Sequence, residues 1–217
     1  MTRALLLEYI PRGIISVKYH FSLVLCIALL VQCRTAQVEQ DSTDISKFGL
    51  LLSEAGMVYQ QPAGFIPKKV VPNPHCKYDI ALRHVSLKYE IRYTVFPLKE
   101  MLEKYRDSRG KKNIVLVDPN NMFPAFTYAI ISNISSDQKL LGSTKFKDDD
   151  VKREFGADVG MSILLNAKES FGGGYKFVLV TALHRKDFAD AYMFHLFDDY
   201  SAVKDQYFIS FYSMKFK

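Results

Sequence analysis

Between Lys88 and Phe96 polar and apolar side chains alternate without a break. Tyr89, Ile91, Tyr93 and Val95 fall on one side of an extended chain, and Lys88, Glu90, Arg92 and Thr94 fall on the other. A period of two is the signature of a strand with one buried face. Pro97 follows at once, and its fixed φ suits the first residue of a helix. Leu98, Met101, Leu102 and Tyr105 then recur at helical spacing, with Glu100 and Lys104 four apart on the opposite side. Gly110 closes the segment. The strand and the helix are expected to pack together, with Leu102 resting on the Tyr89–Val95 face. A strand of this kind cannot stand alone, so the remaining chain has to supply more of them.

The last third does so. Met161–Ala167, Lys176–Leu183, Ala191–Phe197 and Tyr207–Phe216 are apolar runs of strand length. Gly172-Gly173-Gly174 and Lys186-Asp187 fall in turns between them, which predicts an antiparallel meander. Ile114–Val117 predicts a short buried strand, and Asp118-Pro119-Asn120-Asn121 a turn. Phe123–Ile134 is expected to be helical. Asp148, Asp149 and Asp150 are expected to open a short helix reaching Phe155, where acidic residues complement the helix dipole. Met57–Gln60 predicts a first strand left through Pro62-Ala63-Gly64, and Pro72-Asn73-Pro74 enforces a loop. The 13 Tyr and 16 Phe suit a chain rich in strands. The expected class is α+β, an antiparallel sheet with a few packed helices, and residues 48–217 are expected to form one domain.

The N-terminal end reads differently. Phe21–Val31 is apolar apart from Ser22, with Lys18 and His20 before it and Gln32, Arg34 and Gln37 after it. A basic start, a short apolar core and a polar exit make a secretory signal. The apolar core is about half the ~20 residues that a spanning helix needs. Residues 1–36 are therefore read as a signal segment and residues 37–47 as a polar tether. Glu8, Pro11 and Gly13 are an odd prelude to a signal, so translation is expected to start at Val17, with residues 1–16 outside the product. Leu30-Val31-Gln32-Cys33 resembles a bacterial lipoprotein box in which Cys33 takes the lipid, although Gln32 stands where a small residue is usual. Cleavage after Cys33 or Ala36 would instead release a soluble protein. The expected location is periplasmic or extracellular, with a lipid anchor at Cys33 as the alternative.

Charge and motifs exclude more than they include. The net charge is +6, but residues 1–36 hold four basic residues against Glu8 alone, and the remainder carries only +3. No clustered basic run with interleaved aromatics is present, so no nucleic-acid partner is expected. Cys76 is the one cysteine clear of the signal, which leaves the exported domain without an internal disulfide. Gly172-Gly173-Gly174 lacks the Lys-Ser or Lys-Thr of a phosphate loop. Asp148–Asp150 lacks the spacing, Gly and distal Glu of a calcium loop. His75, Cys76 and His84 are the Cys-His candidates, and His184 and His195 are expected to serve sheet packing. Asp158 and Glu169 are scattered carboxylates, the raw material for a hydrolase of the two-carboxylate type. Asn133-Ile134-Ser135 is a glycosylation sequon, relevant in a eukaryotic secretory route. No cofactor or metal is implied.

The Pro/Gly-broken opening Tyr59-Gln60-Gln61-Pro62-Ala63-Gly64-Phe65, the strand-helix unit 88–109 and the late meander together resemble the PsbP-like fold. That fold belongs to an extrinsic subunit of photosystem II and to a Ran-binding nuclear-import factor. Phe155-Gly156-Ala157-Asp158 and Leu196-Phe197-Asp198-Asp199 resemble segments of uncharacterised exported bacterial proteins. The resemblance implies no catalytic residue. It implies a non-enzymatic exported protein that binds or stabilises a protein partner in the cell envelope, with membrane contact only through Cys33. An exported hydrolase built on Asp158, Glu169 or a histidine is the alternative.

Mass spectrometry of the exported form should find its N-terminus between Cys33 and Val38. An acylated Cys33 would mark an anchored protein, and a free terminus at Arg34 or Gln37 a soluble one. An intact chain confined to the cytoplasm would contradict both.

Overall fold

The computed structural model describes residues 44–74, 76–109, 111 and 116–217. The signal segment, Cys33, residues 37–43 of the tether, His75 and the first two residues of Ile114–Val117 lie outside these. Residues 44–54 form helix α1, so the helix begins within the stretch read as a tether. Strands β1 (Met57–Tyr59), β2 (Phe65–Lys68), β3 (Ile80–His84) and β4 (Tyr89–Pro97) follow. Then come α2 (Lys99–Ser108), a 3-10 turn (Pro119–Asn121), α3 (Phe123–Ile134), β5 (Ser135–Lys145) and α4 (Asp148–Phe155). The chain ends with β6 (Val159–Ala167), α5 (Glu169–Gly172), β7 (Phe177–Arg185), β8 (Ala189–Phe197), α6 (Tyr200–Phe211) and β9 (Met214–Phe216).

Seven strands form one antiparallel sheet in the order β2-β3-β4-β8-β7-β6-β5. It is two meanders, β2–β4 and β5–β8, joined where β4 pairs with β8 along its whole length, from Tyr89↔Phe197 to Pro97↔Ala189. β1 and β9 pair separately and tie the two ends of the described chain together.

The sheet is covered on both sides. Tyr89, Ile91, Tyr93 and Val95 share a core with Ala191, Met193 and Phe197, with Phe48 and Leu52 of α1, Val151 and Phe155 of α4, and Val203 and Tyr207 of α6. The alternate residues Val178, Val180, Tyr192, Phe194 and Leu196 share a second core with Phe123, Ile131 and Ile134 of α3 and Phe171 of α5. Helices on both faces leave no solvent side for the central strands, and every residue of β8 is buried.

Four expectations change. β4 is not half-buried: Glu90, Arg92 and Thr94 are as enclosed as Tyr89 and Ile91. The Tyr89–Val95 face is packed by α1, α4 and α6. Leu98 and Leu102 are buried but belong to neither core, so α2 does not serve as the lid of β4. Tyr207–Phe216 is not one strand. Asp199 caps a helix by accepting from Ser201 N, Val203, Tyr207 and Ser210 form its buried face, and only Met214–Phe216 is extended. Leu116 and Val117 are exposed and not extended into a strand. The helices at Phe123–Ile134 and Asp148–Phe155 stand as expected, as do the three other strands of the meander.

Enclosing Glu90 and Arg92 requires partners for both. Arg92 Nε donates to Glu90 Oε1 at 2.7 Å, and a second guanidinium nitrogen donates to the Phe171 carbonyl. The guanidinium lies 4.7 Å from the Tyr78 ring centre and 4.8 Å from that of Phe171. Lys68 of the edge strand β2 reaches the other Glu90 oxygen. Arg92→Ala should cost about 3–5 kcal/mol, because it leaves the buried Glu90 carboxylate with Lys68 alone and strips the Phe171 carbonyl of its donor. Replacing the pair together, Glu90→Leu with Arg92→Met, should recover most of that loss in chemical denaturation. An Arg92→Ala midpoint equal to wild type would show that the pair is not enclosed.

Candidate functional site

The titratable residues singled out above do not converge. Asp158 and Glu169 flank the two ends of β6, a nine-residue strand, which at ~3.3 Å per residue separates them by roughly 25–30 Å. Each has a local task. Asp158 accepts from Lys186 N at the β7–β8 turn, and Glu169 sits in the first turn of α5. Cys76 belongs to the core under α3, and burial pushes its thiol up to about 12, the reverse of a nucleophile's environment. His84 lies on the other side of the sheet against Phe65, where Nδ1 accepts from Ser86 N and Leu87 N. A Cβ on Gly64 would meet the His84 ring at 2.8 Å, so glycine is required there.

His184 and His195 also point to opposite sides. His184 Nδ1 meets Asp190 Oδ1 at 2.7 Å within the α3-side core, with Phe123 stacked on the ring. Burial raises the Asp190 pKa, and the His184 contact opposes the shift. His195 pairs with Leu179 on β7 and lies under α6. Its Nδ1 is 2.7 Å from Tyr89 Oη, which is 3.2 Å from Ser210 Oγ, and Ser210 donates to the Tyr207 carbonyl. With the serine proton committed to that carbonyl, all three bonds form in one direction only: His195 donates to Tyr89, and Tyr89 to Ser210. His195 Nε2 is left as a bare lone pair without a partner among the described residues. The chain of bonds is enclosed, and it fixes α6 to β4 and β8.

Beyond the exposed Lys204 and Asp205, α6 turns apolar side chains outward. Phe208 is 61% exposed, Ile209 52% and Tyr212 49%, all at its C-terminal end. Tyr212 and Phe211 continue into a groove of about 460 Å³ shared with Thr144–Lys147 and with α4. Phe146, Phe155 and Phe211 form the aromatic floor, with Phe155 5.1 Å from Phe211 edge to face and 5.4 Å from Tyr212 in a stack. Asp150 and Glu154 line the groove, and both are engaged by Arg153.

Two glycines set the position of α4. Gly156 ends the helix in the left-handed region at φ +63, where a Cβ would press on the Phe216 carbonyl at 3.0 Å. Gly160 on β6 has no room for a Cβ, which would stand 2.5 Å from Val151 and 2.8 Å from Phe146. The run Asp148–Asp150 acts as helix N-terminal charge, with Lys145 and Arg153 as partners. No cluster of metal ligands occurs among the described residues. Gly173 and Gly174 form the left-handed exit of α5, and Asn133 is exposed at the end of α3.

The chain is similar in architecture to a PsbP protein. That structure is the solution structure of cyanobacterial PsbP (CyanoP) from Synechocystis sp. PCC 6803, matched at 12% identity over 76% of this chain and 89% of that one, with a TM-score of 0.42. No protein-family model matches the sequence, nor does any curated protein.

The groove and the outer face of α6 escaped sequence reading because Tyr207–Phe216 was taken as a strand. Two signals point the other way: an Asp at a cap position before Tyr200-Ser201, and Val203, Tyr207 and Ser210 at helical spacing.

Burial lowers the His195 pKa from 6.5 to about 3. The unfolded chain takes up a proton below pH 6.5 that the folded chain refuses, so stability is full above pH 6.5 and falls as the pH drops toward 3. Between pH 6.5 and 4.5 the loss from this group should be roughly 2–3 kcal/mol. The His195→Gln variant should lack that part of the slope in urea titrations at the two pH values. Parallel slopes in wild type and variant would refute the assignment.

Proposed function

We propose that this chain is a non-enzymatic protein of an extracytoplasmic space that binds a protein partner through the end of α6 and the aromatic groove beside it. The observation that carries the reading is the row Phe208, Ile209 and Tyr212, exposed on a helix whose other face is locked into the core. Large exposed apolar side chains that adjoin a groove mark interaction sites. Aromatic side chains are the residues most often found at the centres of such sites. A partner segment with an apolar side chain to place on the Phe155 and Phe211 rings, and a polar rim to meet Lys145, Lys147 and Arg153, suits the shape.

The hydrolase alternative would need two carboxylates, or a carboxylate and a histidine, facing one cavity. Asp158, Glu169 and His184 do not meet that need. The signal-type segment Phe21–Val31 supports an extracytoplasmic location, periplasmic or extracellular, with Cys33 as the residue for a lipid anchor. Among the described residues no helix is long and apolar enough to cross a membrane.

A photo-crosslinking amino acid at position 208 of the tagged chain should trap a discrete partner in the native host. Phe208→Glu and Tyr212→Glu should each reduce co-purification of that partner by about tenfold or more, on the scale of a lost interface anchor. Phe208→Glu should change thermal stability little, because that side chain is mostly exposed, whereas Tyr212→Glu gives up the stack on Phe155 and should lower it slightly. Retention of the partner by both variants would overturn the proposal.

A further inference from the structure

We infer that α3, on the opposite face of the sheet, is an interfacial helix that docks the protein on an anionic lipid bilayer. This goes beyond the partner surface at α6 and uses none of its apolar residues. The twelve residues of α3, Phe-Pro-Ala-Phe-Thr-Tyr-Ala-Ile-Ile-Ser-Asn-Ile, contain no charge. A helix apolar on all sides belongs in a core or in lipid. Here one side is in the core, through Phe123, Thr127, Ile131 and Ile134. The other side is open: Ala125, Phe126, Tyr128 and Ala129 are exposed, Tyr128 at 72%. A free interfacial helix turns a polar face to water. In α3 the protein core takes the place of that polar face, so the absence of charge is no obstacle.

The surroundings extend the apolar surface. Leu140 on the edge strand pairs with Leu165, a member of the core beneath α3, and so projects on the same side of the sheet, half exposed. Leu116 and Val117, just before the 3-10 turn that leads into α3, are exposed as well.

Charge selects the occupant. Residues 109–145 hold Arg109, Lys111, Lys112, Lys139 and Lys145 against Asp118 and Asp137. Outside that stretch, residues 37–217 hold 20 basic and 20 acidic residues, so along the sequence the positive excess of residues 37–217 falls in the stretch that contains α3. Both local carboxylates are committed to turns: Asp118 accepts from Asn120 N, and Asp137 from Lys139 N and Asn166 Nδ2. Lys145 also meets Asp148, at 3.3 Å in an exposed pair. An uncharged apolar helix flanked by cations fits the boundary between acyl chains and anionic headgroups, where each basic residue adds attraction that salt screens.

The chain contains no Trp, so Tyr128→Trp in the full-length protein places a single reporter on the outer face of α3. With phosphatidylglycerol vesicles carrying brominated acyl chains, its emission should shift to the blue and be quenched. The apparent affinity should fall by about tenfold between 0.1 and 0.5 M salt. Vesicles of phosphatidylcholine alone should quench weakly. Ala125→Asp or Ala129→Asp in the reporter chain should abolish the effect while the far-UV circular dichroism is unchanged. Phe208→Glu should leave it intact, which separates this inference from the partner surface. Unchanged Trp emission with anionic vesicles would overturn the inference. So would equal quenching by neutral vesicles, because the apolar segment Phe21–Val31 could bring that about without α3. A blue-shifted signal that needs no lipid and fades on dilution would overturn it too, since a second copy would then cover α3.

Discussion

The pairing of β4 with β8 is the constraint on which the rest of the structure depends. These strands lie at the centre of seven, each with neighbours on both edges and helices over both faces. From Tyr89 to Val95 on β4 and along all of β8 the side chains are buried, so each must find its partner inside. Apolar residues meet the demand by packing. Glu90, Arg92, Tyr89, Asp190 and His195 meet it by hydrogen bonds to groups on other elements. Arg92 holds α5 through the Phe171 carbonyl. Asp190 holds His184, on which Phe123 of α3 is stacked. Tyr89 holds α6 through Ser210. The polar residues of the seam therefore determine where the outer layer sits, and unpaired they would each cost about 1–3 kcal/mol or more.

This is also why the sequence misleads at β4. Alternation reports a contrast between two faces, and the natural inference is one face in the core and the other in water. In β4 the second face is polar and nevertheless enclosed. Nothing local distinguishes an exposed Glu-Arg pair from a buried one, because the difference lies in Tyr78 and Phe171, far away in sequence. By contrast, β6, β7 and β8 were legible from their own apolar runs, and α4 from its acidic first turn and the Gly156 exit. The helix α3 was legible by length and composition. The β3 and β5 strands were not, since Ile80–His84 is short and flanked by loop residues, and Ser135–Lys145 is polar apart from the adjacent pair Leu140-Leu141, which gives no alternation. A polar edge strand carries almost no periodic signal, because only one of its edges is paired and neither face is covered.

The site followed the same rule. Candidate catalytic residues could be named by type, and their scatter became visible only once β6 separated Asp158 from Glu169 and the sheet separated Cys76 from His84. The exposed apolar row of α6 was hidden by one mistaken period. Phe208, Ile209 and Tyr212 read as sheet residues while Tyr207–Phe216 was extended, and as an exposed row once Asp199 was seen to start a helix.

A covering helix needs one apolar face, which the core consumes. α3 and α6 carry large apolar residues on the second face too, and α1 exposes Ile45 and Leu50, whereas α2 and α4 turn Glu100, Lys104, Lys152 and Arg153 outward. Core packing does not account for that excess, because exposed Phe208 and Tyr128 add nothing to the interior. Solubility works against it. The cost is tolerated where an outer surface has a use, and here the two surfaces lie on opposite faces of one rigid sheet. The Tyr89–His195–Ser210 bonds hold one and the Thr127–Tyr192 hydroxyl contact, at 3.1 Å, holds the other. Both anchors reach the same strands, β4 and β8 for α6 and β8 for α3. The two outward faces are thus both tied by buried hydrogen bonds to the central strands of one sheet.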